Sequence, residues 1–239
     1  MKYLYGPVKS RRIGFSLGVS LTPFKTCTFD CIYCQLGKTT DLTTQRKEYI
    51  KINDIVDELK FWFLNNKEEA ASLQFVTISG SGEPTLNSGI ANLIKQIRGI
   101  TTHQICLITN SSLLSNPAVR QEILGADLIV PSLDAVTPKL FTKIDFPHKD
   151  LKINDIVNGL IALRREFRGK LWLEVMLVKG VNDDLRHIKK LKEIIERINP
   201  DKIQLNSPVR APLKNNILTV DKSKLNKIKA LLGDRAEII

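Results

Sequence analysis

Three features of this 239-residue chain predict an α/β fold, a partial (β/α)6 barrel with parallel strands and a short C-terminal helical extension. Short β-rich runs alternate with amphipathic segments, the pattern of βα units around a parallel sheet. The repeats stop at six, whereas an eight-stranded barrel typically needs about 250 residues and two further units. Polar or glycine-rich residues follow every predicted strand, and in parallel βα folds chemistry sits at those carboxyl ends. No linker or low-complexity stretch interrupts the pattern, so residues 1–239 are expected to form a single domain.

The first predicted strand, 14–21 (GFSLGVSL), runs into a cysteine-bearing loop. Residues 53–66 read as a helix, with Asn53 as its cap and apolar residues at 55, 56, 59 and 63 on one face. The second strand is 73–80 (LQFVTISG), followed by a helix over 87–98 and the third strand, 103–110. Pro117 suits the first turn of a short helix at 116–124. The fourth strand, 127–134, leads into one or two helical turns at 137–144. An amphipathic helix at 153–167 precedes the fifth strand, 170–180, and another at 184–198 precedes the sixth, 201–206. The tail adds a helix over 221–232 and a last short strand, AEII.

At 43% hydrophobic and 26% charged residues, the composition is that of a globular protein with a real core. It contains no run of about 18 apolar residues, so no transmembrane span is expected. The opening MKYLYGPVKSRR lacks the apolar stretch of a signal peptide, which leads to the expectation of a cytoplasmic protein with reduced thiols. Lys and Arg number 36 against 25 Asp and Glu, a formal charge of +11. That balance favours anionic partners, nucleic acid included, although many of the lysines belong to predicted surface helices. Arg11, Arg12, His148 and Arg210 fall near predicted strand ends or loops, and Arg11, Arg12 and Arg210 are expected near the mouth formed by the strands' carboxyl ends. There a guanidinium could pair with an anionic substrate, while His148 is expected to be a solvated surface residue.

Three of the four cysteines, Cys27, Cys31 and Cys34, lie within LTPFKTCTFDCIYCQLGK at C-x3-C-x2-C spacing. Soft thiolates select an iron–sulfur cluster, zinc or Cu(I). Structural zinc would want a fourth protein ligand, and the nearest histidine is the distant His103. Three sulfurs around a four-iron cube leave one iron open to a substrate or cofactor. Three neighbouring cysteines cannot pair evenly as disulfides. Cys106 sits mid-strand, where a free cysteine behaves as a small hydrophobe.

With the aromatic Tyr33 before the third cysteine, this spacing resembles the signature of the radical S-adenosylmethionine (SAM) superfamily. The stretches GPVKSRRIGFSLGVSLTPFKTC, ISGSGEPTL, SLDAVTP and QLNSPVR resemble a subgroup of uncharacterised iron–sulfur oxidoreductases. That subgroup is related to the radical SAM enzymes of the tRNA wybutosine pathway and, more distantly, to glycyl-radical-enzyme activases. The resemblance implies a partial barrel in which Cys27, Cys31 and Cys34 hold a [4Fe–4S] cluster whose open iron chelates SAM. Reductive cleavage of SAM would then give a 5′-deoxyadenosyl radical that abstracts hydrogen from a substrate. It also implies a reducing electron donor, flavodoxin- or ferredoxin-like. The open side of so small a barrel suits a macromolecule, RNA or protein.

SGSGEP resembles the family's GGE-type motif, in which Gly80 and Gly82 admit close backbone approach and Glu83 faces the methionyl ammonium; Ser81 departs from the pattern. By the same resemblance Tyr33 lies near the adenine, with its backbone making the hydrogen bonds. Asn110 and Asp134 are candidates for the ribose or carboxylate of SAM, the plainer readings being a turn asparagine and a helix cap ahead of Thr137-Pro138. Val181, between Gly180 and Asn182, and Asn206 would border the adenine. Two other classes stay open: a glycyl-radical-enzyme activase, and a non-catalytic cluster- or zinc-bearing RNA-binding module. The chain has no cysteine before Cys27, unlike the wybutosine-pathway enzymes with their extra upstream cysteines.

Overall fold

The computed structural model describes residues 1–208 and 217–239; Arg210 lies outside them. β1 (Leu4–Ser10) and β2 (Gly14–Ser20) make an antiparallel hairpin, and the two-residue strands β3 (Thr26–Cys27) and β4 (Asp41–Leu42) clip the cysteine loop. There follow α1 (Ile52–Asn65), α2 (Lys67–Ala71), β5 (Phe75–Ser79), a 3-10 turn (Pro84–Leu86) and α3 (Ile90–Ile100). Next come β6 (Gln104–Thr109), α4 (Pro117–Ile123), β7 (Leu128–Pro131), α5 (Pro138–Asp145) and α6 (Ile153–Glu166). β8 (Lys170–Met176), α7 (Leu185–Ile198), β9 (Lys202–Asn206), α8 (Lys222–Leu232) and β10 (Ala236–Ile238) complete the order.

The main sheet runs β1-β2-β5-β6-β7-β8-β9-β10, with β1 and β10 at its two edges. All its pairings from β2 onward are parallel. This is the expected partial barrel, and its six central strands are the six read from the sequence.

Side chains alternate between the two faces of each strand, and the two faces have different fates. Leu17, Val19, Val76, Ile78, Ile105 and Leu107 pack outward against the helices, meeting Ile55 and Leu59 of α1, Leu93 and Ile97 of α3, and Leu160 and Leu163 of α6 in the main core. Fully burying one such side chain contributes about 1.5–3 kcal/mol. Inward positions form a smaller core of Ile13, Phe75, Cys106, Leu128 and Val130. Cys106 is fully buried there as a small hydrophobe, and burial pushes its thiol well up.

Several boundaries differ from the sequence reading, each for a local reason. α1 starts at Ile52, not at an Asn53 cap, because the Glu48 carboxylate accepts the Ile52 N–H at 3.1 Å from outside the helix. α3 starts late because the Asn87 side chain is occupied, donating to the Leu21 and Ile50 carbonyls and accepting from the Gly89 N–H. The fifth predicted strand stops at Met176, where Asn182 Nδ2 donates to the Met176 carbonyl and Oδ1 accepts the Val178 N–H, both at 2.8 Å. β1 has no counterpart in the sequence reading. Its hairpin puts Arg11 and Arg12 ahead of β2, at the amino end of the parallel strands and away from the mouth where they were expected.

Candidate metal and cofactor site

Parallel strands bring their carboxyl ends to one edge, so the cysteine loop after β2, Gly80–Glu83 after β5, Asn110 after β6, Asp134 after β7 and Asn206 at the end of β9 share one mouth. Backbone hydrogen bonds fix the loop from two sides. The Lys25 N–H donates to the Ser81 carbonyl at 2.7 Å and the Glu83 N–H to the Thr26 carbonyl at 3.2 Å, clasping it to the glycine-rich turn. On the other side the Asp30 and Ile32 N–H groups donate to the Asp145 and Ile144 carbonyls at the end of α5.

Glycine is needed at both turn positions for steric reasons. Gly80 has φ +112°, and a Cβ on Gly82 would overlap the Thr26 carbonyl oxygen. The turn therefore holds the backbone beside Cys27 as well as bordering the mouth.

Glu83 is 1% exposed. Its Oε1 accepts from the Thr85 N–H (3.0 Å), Thr85 Oγ1 (2.6 Å) and Thr109 Oγ1 (2.6 Å), and its Oε2 accepts the Asn110 N–H at 2.7 Å. Three of these donors crowd Oε1, and Oε2, with two lone pairs and a single donor, keeps one acceptor position. Burial raises its pKa, the four donors pull the other way, and among the described residues no cation pairs with it. An unpaired buried carboxylate is costly, and a cationic ligand group is what its surroundings lack.

The three cysteines of the loop are half-buried. Burial, then the charge of Glu83, pushes Cys27 up to about 11; burial and Asp145 push Cys31 well above the ordinary thiol range. Two donors reach the sulfurs: Lys25 Nζ lies 3.1 Å from Cys34 Sγ and Asn110 Nδ2 lies 3.5 Å from Cys27 Sγ. An all-sulfur donor set with N–H groups aimed at it fits an iron–sulfur cluster, whose potential is tuned by such contacts. Among the described residues no three His, Cys, Asp or Glu side chains gather tightly enough to hold a single metal ion.

Tyr33, Asn110 and Asp134 line one narrow cleft together with Phe29, Ser132 and Asp145. The Tyr33 hydroxyl donates to Asp134 Oδ2, and Asp134 Oδ1 accepts the Met176 N–H at 2.8 Å, so Asp134 is not a helix cap; Thr137 holds that place. Burial raises Asp134 to about 7, and burial, then the neighbouring Asp134 charge, raises Asp145 well above the ordinary carboxylate range. Asn110 Nδ2 also donates to Thr28 Oγ1, and its Oδ1 accepts the Ser112 N–H. Val181 stands in the turn after β8, where the Asn182 side chain bonds only backbone groups. Asn206 turns to Glu174, donating at 2.9 Å, and Glu174 in turn accepts from Arg12.

The sequence reading passed over Lys25 and Asp145. Lys25 stood two residues before the first cysteine, a position that could have drawn attention; Asp145 reaches the site only through the packing of α5. A cavity of about 620 Å³ lies beside the loop between α5 and α6, with His148 half-buried in its wall rather than on open surface.

A partial parallel barrel that gathers three half-buried thiols, a glycine-rich turn and a buried carboxylate without a cationic partner among the described residues at its mouth has the make-up of an iron–sulfur enzyme. A sequence model of the Radical SAM superfamily matches residues 21–191, and the chain belongs to that superfamily. It is a radical SAM iron–sulfur enzyme, and its cofactors are a [4Fe–4S] cluster and SAM. A UPF0026 protein of Methanocaldococcus jannaschii is 35% identical over 236 residues, covering 98% of this chain and 72% of that protein. A Brachyspira hyodysenteriae protein named GTPase Obg is 40% identical over 228 residues, covering 95% of this chain and 33% of its own length. The chain thus spans only a third of that longer relative. Among solved structures, TYW1 with a lysine-pyruvate adduct superposes with TM-score 0.69 at 21% identity, covering 92% of this chain and 74% of TYW1, a likeness of fold. Among the described residues no helix is long and apolar enough to cross a membrane.

Proposed function

We propose that Cys27, Cys31 and Cys34 hold the cluster, and that Glu83, Tyr33, Asn110 and Asp134 border SAM, with Gly80, Gly82, Val181 and Asn206 shaping the surrounding turns. The observation that carries this reading is Glu83, a buried carboxylate with one vacant acceptor position and no cation of its own, clasped to the cysteine loop. Its free position on Oε2 would take the methionyl ammonium as a charge-assisted hydrogen bond. Asn110 and Asp134, across the cleft from Phe29, would meet hydroxyl or carboxylate groups. When bound and reduced, the cluster supplies the electron that cleaves SAM to methionine and a 5′-deoxyadenosyl radical. The residues of the chain position the ligand and exclude water, the usual division of labour in cofactor enzymes. Electrons come from a flavodoxin- or ferredoxin-like donor in the cytoplasm.

The substrate in this reading is an anionic macromolecule, RNA, and the support is the charge of +11. A titration of the reconstituted protein with bulk tRNA tests it. Affinity is expected to fall by about 0.9 log units per log unit of salt for each phosphate neutralised in a duplex region. A flat salt dependence would point to a protein or small-molecule substrate.

A further inference from the structure

Lys25 is 2% exposed, a rare state for a lysine, and its backbone is held as firmly as its side chain. Its φ is +59°, in the left-handed region. Its N–H donates to the Ser81 carbonyl, and its own carbonyl accepts the Thr40 and Asp41 N–H groups, both at 3.2 Å. The side chain then runs inward and ends 3.1 Å from Cys34 Sγ. Among the described residues no carboxylate lies within ion-pair distance of Nζ, although Glu83 is close by in the same clasp. A buried cation needs a counter-charge, and the group in contact with it is a sulfur.

From this geometry we propose that Lys25 is the positioning residue that sets the charge balance of the cluster: its ammonium pairs with the Cys34 thiolate and favours the reduced cluster. The proposal rests on the assignment of the three cysteines as ligands. Reduction adds one electron to [4Fe–4S]2+ and gives [4Fe–4S]+, so the site becomes more negative by one charge. A fixed cation against a ligating sulfur stabilises the more negative state, and net charge and hydrogen bonds to sulfur are among the levers on such potentials. Lys25 thereby makes the cluster easier to reduce. Its contact is with a ligand sulfur, so it acts through the cluster.

The test is a redox titration of anaerobically reconstituted protein without SAM, following the resonance signal of the reduced cluster. Lys25→Met and Lys25→Gln are expected to shift the midpoint to more negative potential by at least a tenfold change in the reduction equilibrium, about 59 mV for one electron. Lys25→Arg, which keeps the charge, is expected to stay nearer the wild type. A midpoint that is unmoved or more positive in the neutral variants overturns the proposal. Should neither neutral variant take up iron, Lys25→Arg decides. Iron uptake by Lys25→Arg with a midpoint near that of the wild type supports the proposal; a midpoint shifted to more negative potential, or failure of all three variants to take up iron, overturns it. Wild-type protein that takes up no four-iron cluster would defeat the ligand assignment itself, a result distinct from any of these.

Discussion

The Asn110 N–H donates to Glu83 Oε2 at 2.7 Å, so the turn after β5 and the turn after β6 are joined through one buried carboxylate. Glu83→Gln keeps the shape and removes the charge. The cluster is expected to load to four irons as in the wild type, while SAM binding loses a charge-assisted hydrogen bond of about 1.5–3 kcal/mol, tenfold or more in affinity. The amide nitrogen would also face donors already present, so thermal stability should fall. Equilibrium dialysis with SAM against iron content separates the two effects; unchanged SAM affinity would remove Glu83 from the site.

Gly82 gives a steric test of the clasp. A methyl group there meets the Thr26 carbonyl and Thr22 Oγ1, and neither the backbone nor its hydrogen bond to the Glu83 N–H can yield freely. Gly82→Ala is expected to cost about 1–3 kcal/mol, as overpacking generally does, and to lower iron uptake because the displaced backbone carries Cys27. Thermal melting and iron analysis check this. Gly99, around which a Cβ finds open space in α3, is the control: alanine there should raise stability slightly.

The four cysteines should divide three to one. Alanine at Cys27, Cys31 or Cys34 should abolish the cluster's absorbance after reconstitution. Alanine at Cys106 should leave it intact, with a stability loss of about 0.5–3 kcal/mol from the inner core it shares with Phe75 and Val130. A cluster retained by Cys31→Ala would break the ligand assignment.

His187 supplies a pH dependence. It is 3% exposed at the start of α7, neither ring nitrogen makes a hydrogen bond of normal geometry among the described residues, and burial, only partly opposed by the Asp134 backbone, lowers its pKa below the ordinary 6.5. The unfolded chain therefore takes up the proton first as pH falls. The stability associated with neutral His187 is fully present above pH 6.5 and is lost as pH drops through the lower folded value. Melting curves of the apo-protein should show this acid limb, and His187→Leu should flatten it. An equally steep limb in the variant would assign the effect to other groups.

The central strands were legible because strands covered on both faces read as continuous apolar runs. β1 was not, since Gly6 and Pro7 punctuate it, and proline is tolerated mainly at a sheet edge or bulge; it is an edge strand with a register shift between Tyr5 and Val8. Helix starts failed where the capping group came from outside, as Glu48 does for α1. At the site, the cysteine spacing is written locally in the chain and could be read. The partners of Glu83 on Thr109 and Asn110, the placing of Asp134 and Asp145 in one cleft, and the contact of Lys25 with Cys34 exist only once strands and loops have assembled.

The most direct measurement is 5′-deoxyadenosine formed when the anaerobically reconstituted protein is reduced in the presence of SAM. The account predicts its formation together with methionine, its loss in Cys27→Ala, Cys31→Ala and Cys34→Ala, and a SAM-dependent change in the resonance spectrum of the reduced cluster. Wild-type protein with four irons bound that forms none, and whose spectrum SAM leaves unchanged, would contradict it.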